Sequence, residues 1–100
     1  MILRVFRAVI REGRVEDFKK MVREQSIPWL KGSDGMLEYV AGHPFENNER
    51  EFTMVTLWRD LDSIKAFCGD DWDNPAVTED EAPLVEAMYV EHYQRFDEEE

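Results

Sequence analysis

Apolar and polar positions along this chain change period several times, and the changes mark its elements. From Ile2 to Ile10, β-branched and aromatic residues crowd a stretch too short for an ordinary helix, which predicts a first strand. Glu12 and Gly13 break the run. Beyond them Val15, Phe18, Met21 and Val22 recur at helical spacing, with Lys19, Lys20, Arg23 and Glu24 turned outward, so an amphipathic helix follows. Pro28 lacks an amide hydrogen and is expected to end or kink that helix, with Ser26 capping a short turn that carries Trp29 and Leu30. Gly32 to Gly35 closes the segment.

Met36 to Ala41 reads as a second strand, and Gly42 to Asn48, with His43, Pro44 and the Asn47-Asn48 pair, has the chemistry of a connecting loop. Arg50 to Trp58 is the third strand. Asp60 or Asp62 is then placed to cap a second helix that runs through Ile64, Ala66 and Phe67 to Cys68, where Gly69 stops it. A turn-rich acidic segment from Asp70 to Pro75 leads to Thr78–Val85, which has some helical character, and Met88 to Phe96 is the fourth strand. The single domain is thus expected over residues 1–96, with Asp97 to Glu100 as a like-charged, fraying tail. The order β-α-β-β-α-β is the ferredoxin-like α+β arrangement, an antiparallel sheet with both helices on one face.

One feature of the strands goes further. A sheet wet on one side alternates cleanly, yet here both alternating sets are apolar. The third strand sets Phe52, Met54 and Trp58 against Val55 and Leu57, and the first sets Ile2, Phe6, Ala8 and Ile10 against Leu3, Val5 and Val9. Two helices cover only one of these faces, and the simplest cover for the other is a second copy of the chain. A homodimer joined through its sheet faces is expected.

Composition narrows the function classes. With 43% hydrophobic and 12% aromatic residues, 100 residues suffice for one packed core. A formal charge of −11 opposes contact with phosphates, so nucleic acid and anionic membranes are poor partners. The lone Cys68 has no internal disulfide partner, and no cysteine or histidine spacing suits zinc, which fits a reducing cytoplasm. Arg4 and Arg7 interrupt the apolar start where a signal peptide would stay uncharged, and no stretch approaches the ~20 apolar residues of a membrane span.

Phe52-Thr53-Met54-Val55-Thr56-Leu57-Trp58, followed by Asp60 to Phe67, resembles the strand and helix of the antibiotic biosynthesis monooxygenase-like dimeric α+β barrels. Gly69-Asp70-Asp71-Trp72, and Pro83-Leu84 through to Val90-Glu91-His92-Tyr93, are similar to a functionally unassigned branch of that superfamily. The resemblance implies a dimeric α/β barrel with a pocket between helices and sheet, used by some members for cofactor-free oxidation of polycyclic aromatics and by others for haem degradation. Haem-degrading members use a first-strand asparagine, a tryptophan in the second helix and a histidine soon after it. The corresponding places here hold Phe6 or Arg7, Phe67, and a 74–77 stretch without histidine, so haem degradation does not carry over. The asparagine, tryptophan and tyrosine of the quinone-forming relatives have no residue-for-residue match either.

Six residues are the candidates for chemistry. His92 shares a strand face with Met88, Val90 and Phe96, where apolar surroundings favour a neutral imidazole, as a base or orienting group or as a satisfied interface histidine. His43 lies in a loop beside Pro44, as a ligand contact or a surface residue. Arg4 and Arg7, three apart in a strand, face opposite ways: one is placed to clamp an acidic ligand, the other to meet an acid such as Glu38 or Glu91 at the dimer face. Trp58 is a pocket wall or core filler, and Trp72, in an acidic turn, a lid or a packed-down ring. Trp29, Tyr39, Tyr89 and Tyr93 complete the aromatic set from which a pocket lining is drawn. Asp70 and Asp71 are expected to raise the Cys68 thiol, which argues against a catalytic thiolate. No metal and no cofactor is expected, since no HxH, HxxxH, HExxH, P-loop or GxGxxG spacing occurs. The leading expectation is a cytoplasmic homodimer that binds a small aromatic or apolar molecule and oxidises it without a cofactor; the alternative is a non-catalytic dimer that binds a ligand or partner.

Overall fold

A computed structural model of the chain describes residues 1–75 and 78–98. Four strands, β1 (Ile2–Ile10), β2 (Met36–Gly42), β3 (Glu51–Trp58) and β4 (Val85–Gln94), form one antiparallel sheet in the order β2-β3-β1-β4. β1 carries the longest apolar run and takes a central place, paired with β3 from Ile2 opposite Trp58 and with β4 from Ile2 opposite Gln94. The expected ferredoxin-like fold is present. β4 starts at Val85 rather than Met88, because the register shifts after Val9 and lets Val85 pair with Ile10, an irregularity that alternation does not reveal. It also ends sooner than expected. Phe96 leaves the sheet in a short 3₁₀ turn, Phe96–Glu98, and is 86% exposed, so it does not share the face of His92. In the same turn Asp97 pairs with Arg95 at 2.6 Å, while residues 99–100 of the expected tail lie outside the described residues.

The first helical segment departs from the expected break at Pro28. α1 (Val15–Met21), a π-helical turn (Val22–Ser26) and α2 (Ile27–Lys31) run on without interruption. A proline in a helix interior removes one hydrogen bond and pushes on the carbonyl four residues earlier. The wider turn absorbs this, for Ile27 donates its amide to the Val22 carbonyl five residues back. Ser26 therefore has helical backbone angles and caps nothing. Of the two caps expected for the second helix, α3 (Leu61–Cys68), the structure uses Asp60, whose carboxylate accepts from the Ser63 amide at 2.9 Å and the Ser63 hydroxyl at 2.7 Å, and Asp62 lies in the first turn. Those hydrogen bonds hold the Asp60 carboxyl below its ordinary range. Between Thr78 and Leu84 the expected helical character reduces to turns, although Thr78 and Glu81 exchange the reciprocal hydrogen bonds of a helix start; Ala76 and Val77 lie outside the described residues.

All helices lie on one face of the sheet and enclose two apolar clusters. Ala8, Ile10, Phe18, Met21, Phe52 and Leu84 fill one end, where the Phe18 and Phe52 rings meet edge-on at 4.8 Å. Leu30, Trp58 and Ile64 fill the other. On the far face, Val40, Val55 and Val5 stand in one row across β2, β3 and β1, flanked by Leu57 and Leu3, and no helix among the described residues covers them. No described helix is long and apolar enough to cross a membrane.

α3 meets the turn before β2 at Gly35, whose φ of +86° is open to glycine and costly for other residues. A Cβ there would also clash with the Ser63 side chain. Gly35→Ala should destabilise the fold by about 2–4 kcal/mol in urea unfolding, combining backbone strain with overpacking. A loss near zero would show that α3 is free to move off this turn.

Candidate functional site

The two core clusters do not meet, and a cavity of about 360 Å³ lies between them, near the lower end of the range for small-molecule sites. Inward positions of β1 and β3 supply Arg4, Phe6, Phe52, Met54 and Thr56. The helices close it with Phe18, Val22, Ile27 and Leu30, and with Phe67 and Cys68 of α3. The π-helical turn thus forms part of the wall, which places the local response to Pro28 at the site itself. Trp29, 55% exposed, stands at the rim with its ring 4.1 Å from that of Phe67.

Arg4 is the buried charge of this site, only 8% exposed. Its Nη1 donates to the Trp72 carbonyl at 2.7 Å and lies 2.8 Å from His92 Nε2. An arginine only donates, so His92 Nε2 must accept, and the imidazole is neutral with its proton on Nδ1. The environment acts the same way: burial first, then the adjacent Arg4 charge, push His92 below its ordinary pKa, against a smaller opposing pull from Asp73. The Trp72 ring packs edge-on against His92 at 4.9 Å. Burial likewise lowers Arg4 and raises the Cys68 thiol. The charge that acts on Cys68 is the cation Arg4, which offsets part of the rise; the expected effect of Asp70 and Asp71 is replaced by desolvation. A relay behind the wall completes the setting, as Trp58 Nε1 donates to Thr56 Oγ1 at 2.8 Å and that hydroxyl donates to the Arg4 carbonyl at 3.4 Å.

Of the six candidates, Arg4, His92 and Trp72 come together as one contact group, but only Arg4 lines the cavity. His43 lines it too, from the exposed rim, with Nδ1 3.3 Å from the Pro44 carbonyl. Trp58 is fully buried beneath the wall. Arg7 is on the opposite face of the sheet, paired with Glu91 at 3.0 Å and 5.5 Å from the Tyr89 ring, as the odd spacing from Arg4 requires. Lys19 and Arg23, which the helical pattern turns outward, line the cavity with Glu81. Their one legible signal is the i, i+4 spacing that puts both on one side of the helix.

The sequence profile of the antibiotic biosynthesis monooxygenase family matches residues 1–98. The chain belongs to this family. Its fold is that of protein SO0527 from Shewanella oneidensis, with a TM-score of 0.75 at 23% identity over 92% of this chain and 87% of that one. PA3566 from Pseudomonas aeruginosa is similar at a TM-score of 0.70, with 17% identity over 95% and 93%. A mutant of MhuD, crystallised with two manganese protoporphyrin IX molecules per active site, reaches 0.68 at 14% identity over 95% and 94%. Family members typically form dimeric α+β barrels. Among curated proteins, none matches the sequence.

The His92 shift fixes a pH dependence. The unfolded chain takes up its histidine proton near pH ~6.5 and the folded chain only below that, so stability is complete above this value and falls as the pH drops toward the depressed folded pKa. Urea unfolding should show this loss on acidification below pH ~6.5, and His92→Gln, which keeps an acceptor for Arg4, should flatten that limb. Parallel profiles for parent and variant would place the proton elsewhere.

Proposed function

We propose that this protein is a homodimer whose uncovered sheet faces pack together and whose protomers each bind a small aromatic or apolar molecule in the cavity between helices and sheet. The observation that carries this reading is the cavity itself, an apolar enclosure walled by Phe6, Phe18, Phe52, Met54 and Phe67 with one fixed guanidinium. The dimer is supported by the apolar row Val40, Val55 and Val5, in which Val40 is 62% exposed in the single chain. Both belong with membership of a family of dimeric α+β barrels.

Cofactor-free oxidation is the activity proposed for the cavity, with an electron-rich aromatic as reductant and dioxygen as oxidant. His92 serves there as a positioning residue that holds Arg4 through Nε2. Non-catalytic binding is the second reading, and the placement of His92 favours it, since this imidazole is engaged by Arg4 and is not part of the cavity wall. Haem does not fit. The thiol and imidazole that line the cavity are Cys68, which burial keeps protonated, and His43, out on the exposed rim.

Native mass spectrometry of the purified protein tests the reading directly: the expected species is twice the 11.9 kDa chain with a retained small-molecule mass. A monomer would remove the paired-sheet argument. Val55→Lys, which sets a charge in the centre of the uncovered face, should convert the dimer to monomers in sedimentation velocity while leaving the circular dichroism spectrum intact. Dioxygen uptake with added aromatic substrates separates the two readings. His92→Leu, which removes the acceptor for Arg4, should then lower turnover without dissociating the dimer if the oxidation reading holds, with His92→Gln restoring it, and a binding protein would consume no dioxygen at all.

A further inference from the structure

Every ion pair among the described residues joins a carboxylate to a more exposed cation: Arg7, Arg14, Lys19, Arg50, Arg59 or Arg95. Arg4, the most buried of the basic residues, has none, in a chain of net charge −11. Its two partners, the Trp72 carbonyl and the His92 imidazole, are neutral and both meet Nη1. A buried charge without a counterion is costly, and proteins usually supply one.

The other donors of Arg4 show where a counterion would go. Nε and Nη2 make no hydrogen bond among the described residues, yet no described buried side-chain nitrogen or oxygen lacks a partner. These donors therefore keep accessible surface, and Arg4 lines the cavity. Nε and Nη2 are the side-on pair of the guanidinium, the edge that meets a carboxylate with two parallel hydrogen bonds. Nη1, held at two points, fixes that edge in place. The remaining charged wall is Lys19, already paired with Glu16 at 3.2 Å, together with Arg23 and Glu81, and it leaves the positive bias to Arg4.

We propose that the ligand of this cavity is a mono- or bicyclic aromatic anion, carrying one carboxylate or ionised ring hydroxyl, and that Arg4 recognises its charge through Nε and Nη2. The proposal rests on the reading of the cavity as a small-molecule site and adds the charge of the occupant. The ligand supplies the counterion that the fold withholds, and the apolar wall receives the ring.

Isothermal titration of the intact protein with 2-naphthoate and with its uncharged counterpart 2-naphthamide tests it. The expected result is binding of the acid about tenfold or more tightly than the amide, the effect of a charge-assisted pair. Arg4→Met should abolish that preference while retaining amide binding, and Arg4→Lys, which keeps the charge but lacks the side-on edge, should lose most of it. Should Arg4→Met fail to fold, the parent comparison and the lysine variant still decide the matter. Equal affinities in the parent would overturn the anion and leave the aromatic cavity standing, whereas failure of both probes to bind would overturn the cavity reading as well. A preference that survives in Arg4→Met would remove Arg4 from recognition.

Discussion

The burial of one guanidinium on the inner face of β1 sets the terms for the rest of this site. Arg4 occupies an inward position of β1, between the apolar clusters built on Ile10 and on Trp58. A charge there must be hydrogen-bonded, and the fold answers with a backbone carbonyl from the acidic turn and an imidazole from β4. The accepting role of His92 Nε2 and the docking of Trp72 against it accompany that burial, and the Arg4 charge offsets part of the rise that desolvation imposes on the Cys68 thiol.

The helical wall shows how a local irregularity becomes part of a site. Pro28 obliges the backbone either to break or to widen, and the tertiary contacts of Leu30 with Trp58 and Ile64 keep the segment helical past it. The extra residue in the turn then brings Val22, Arg23, Ser26 and Ile27 to the cavity. A straight α-helix would rotate the residues on either side of the turn relative to one another, and would present a different set.

The sheet serves two purposes through its two faces. Its inner face carries the core and the cavity, and its outer face carries the apolar row of Val40, Val55 and Val5. Arg4 and Arg7 divide along the same line: one is enclosed with neutral partners, and the other is exposed against Glu91 and Tyr89. Two arginines three residues apart therefore belong to different chemistry, because a strand alternates its side chains strictly.

The order of elements, the two-faced sheet, the opposed directions of Arg4 and Arg7 and a helix cap at Asp60 or Asp62 are legible in the sequence alone, since each is written in spacing of two or of about 3.6 residues or in a single local residue type. Which arginine is enclosed, which carbonyl satisfies it, and that Trp58 lies beneath the wall while Trp29 stands at its rim were decided only by the tertiary structure. So was the place on the cavity wall of Lys19 and Arg23, which a helical wheel sends to solvent. The start of β4 at Val85 and the unbroken helix at Pro28 depended on pairing and packing across the chain. Periodicity reports how a residue faces its own element, whereas burial, hydrogen-bond partners and cavities arise where elements distant in sequence meet.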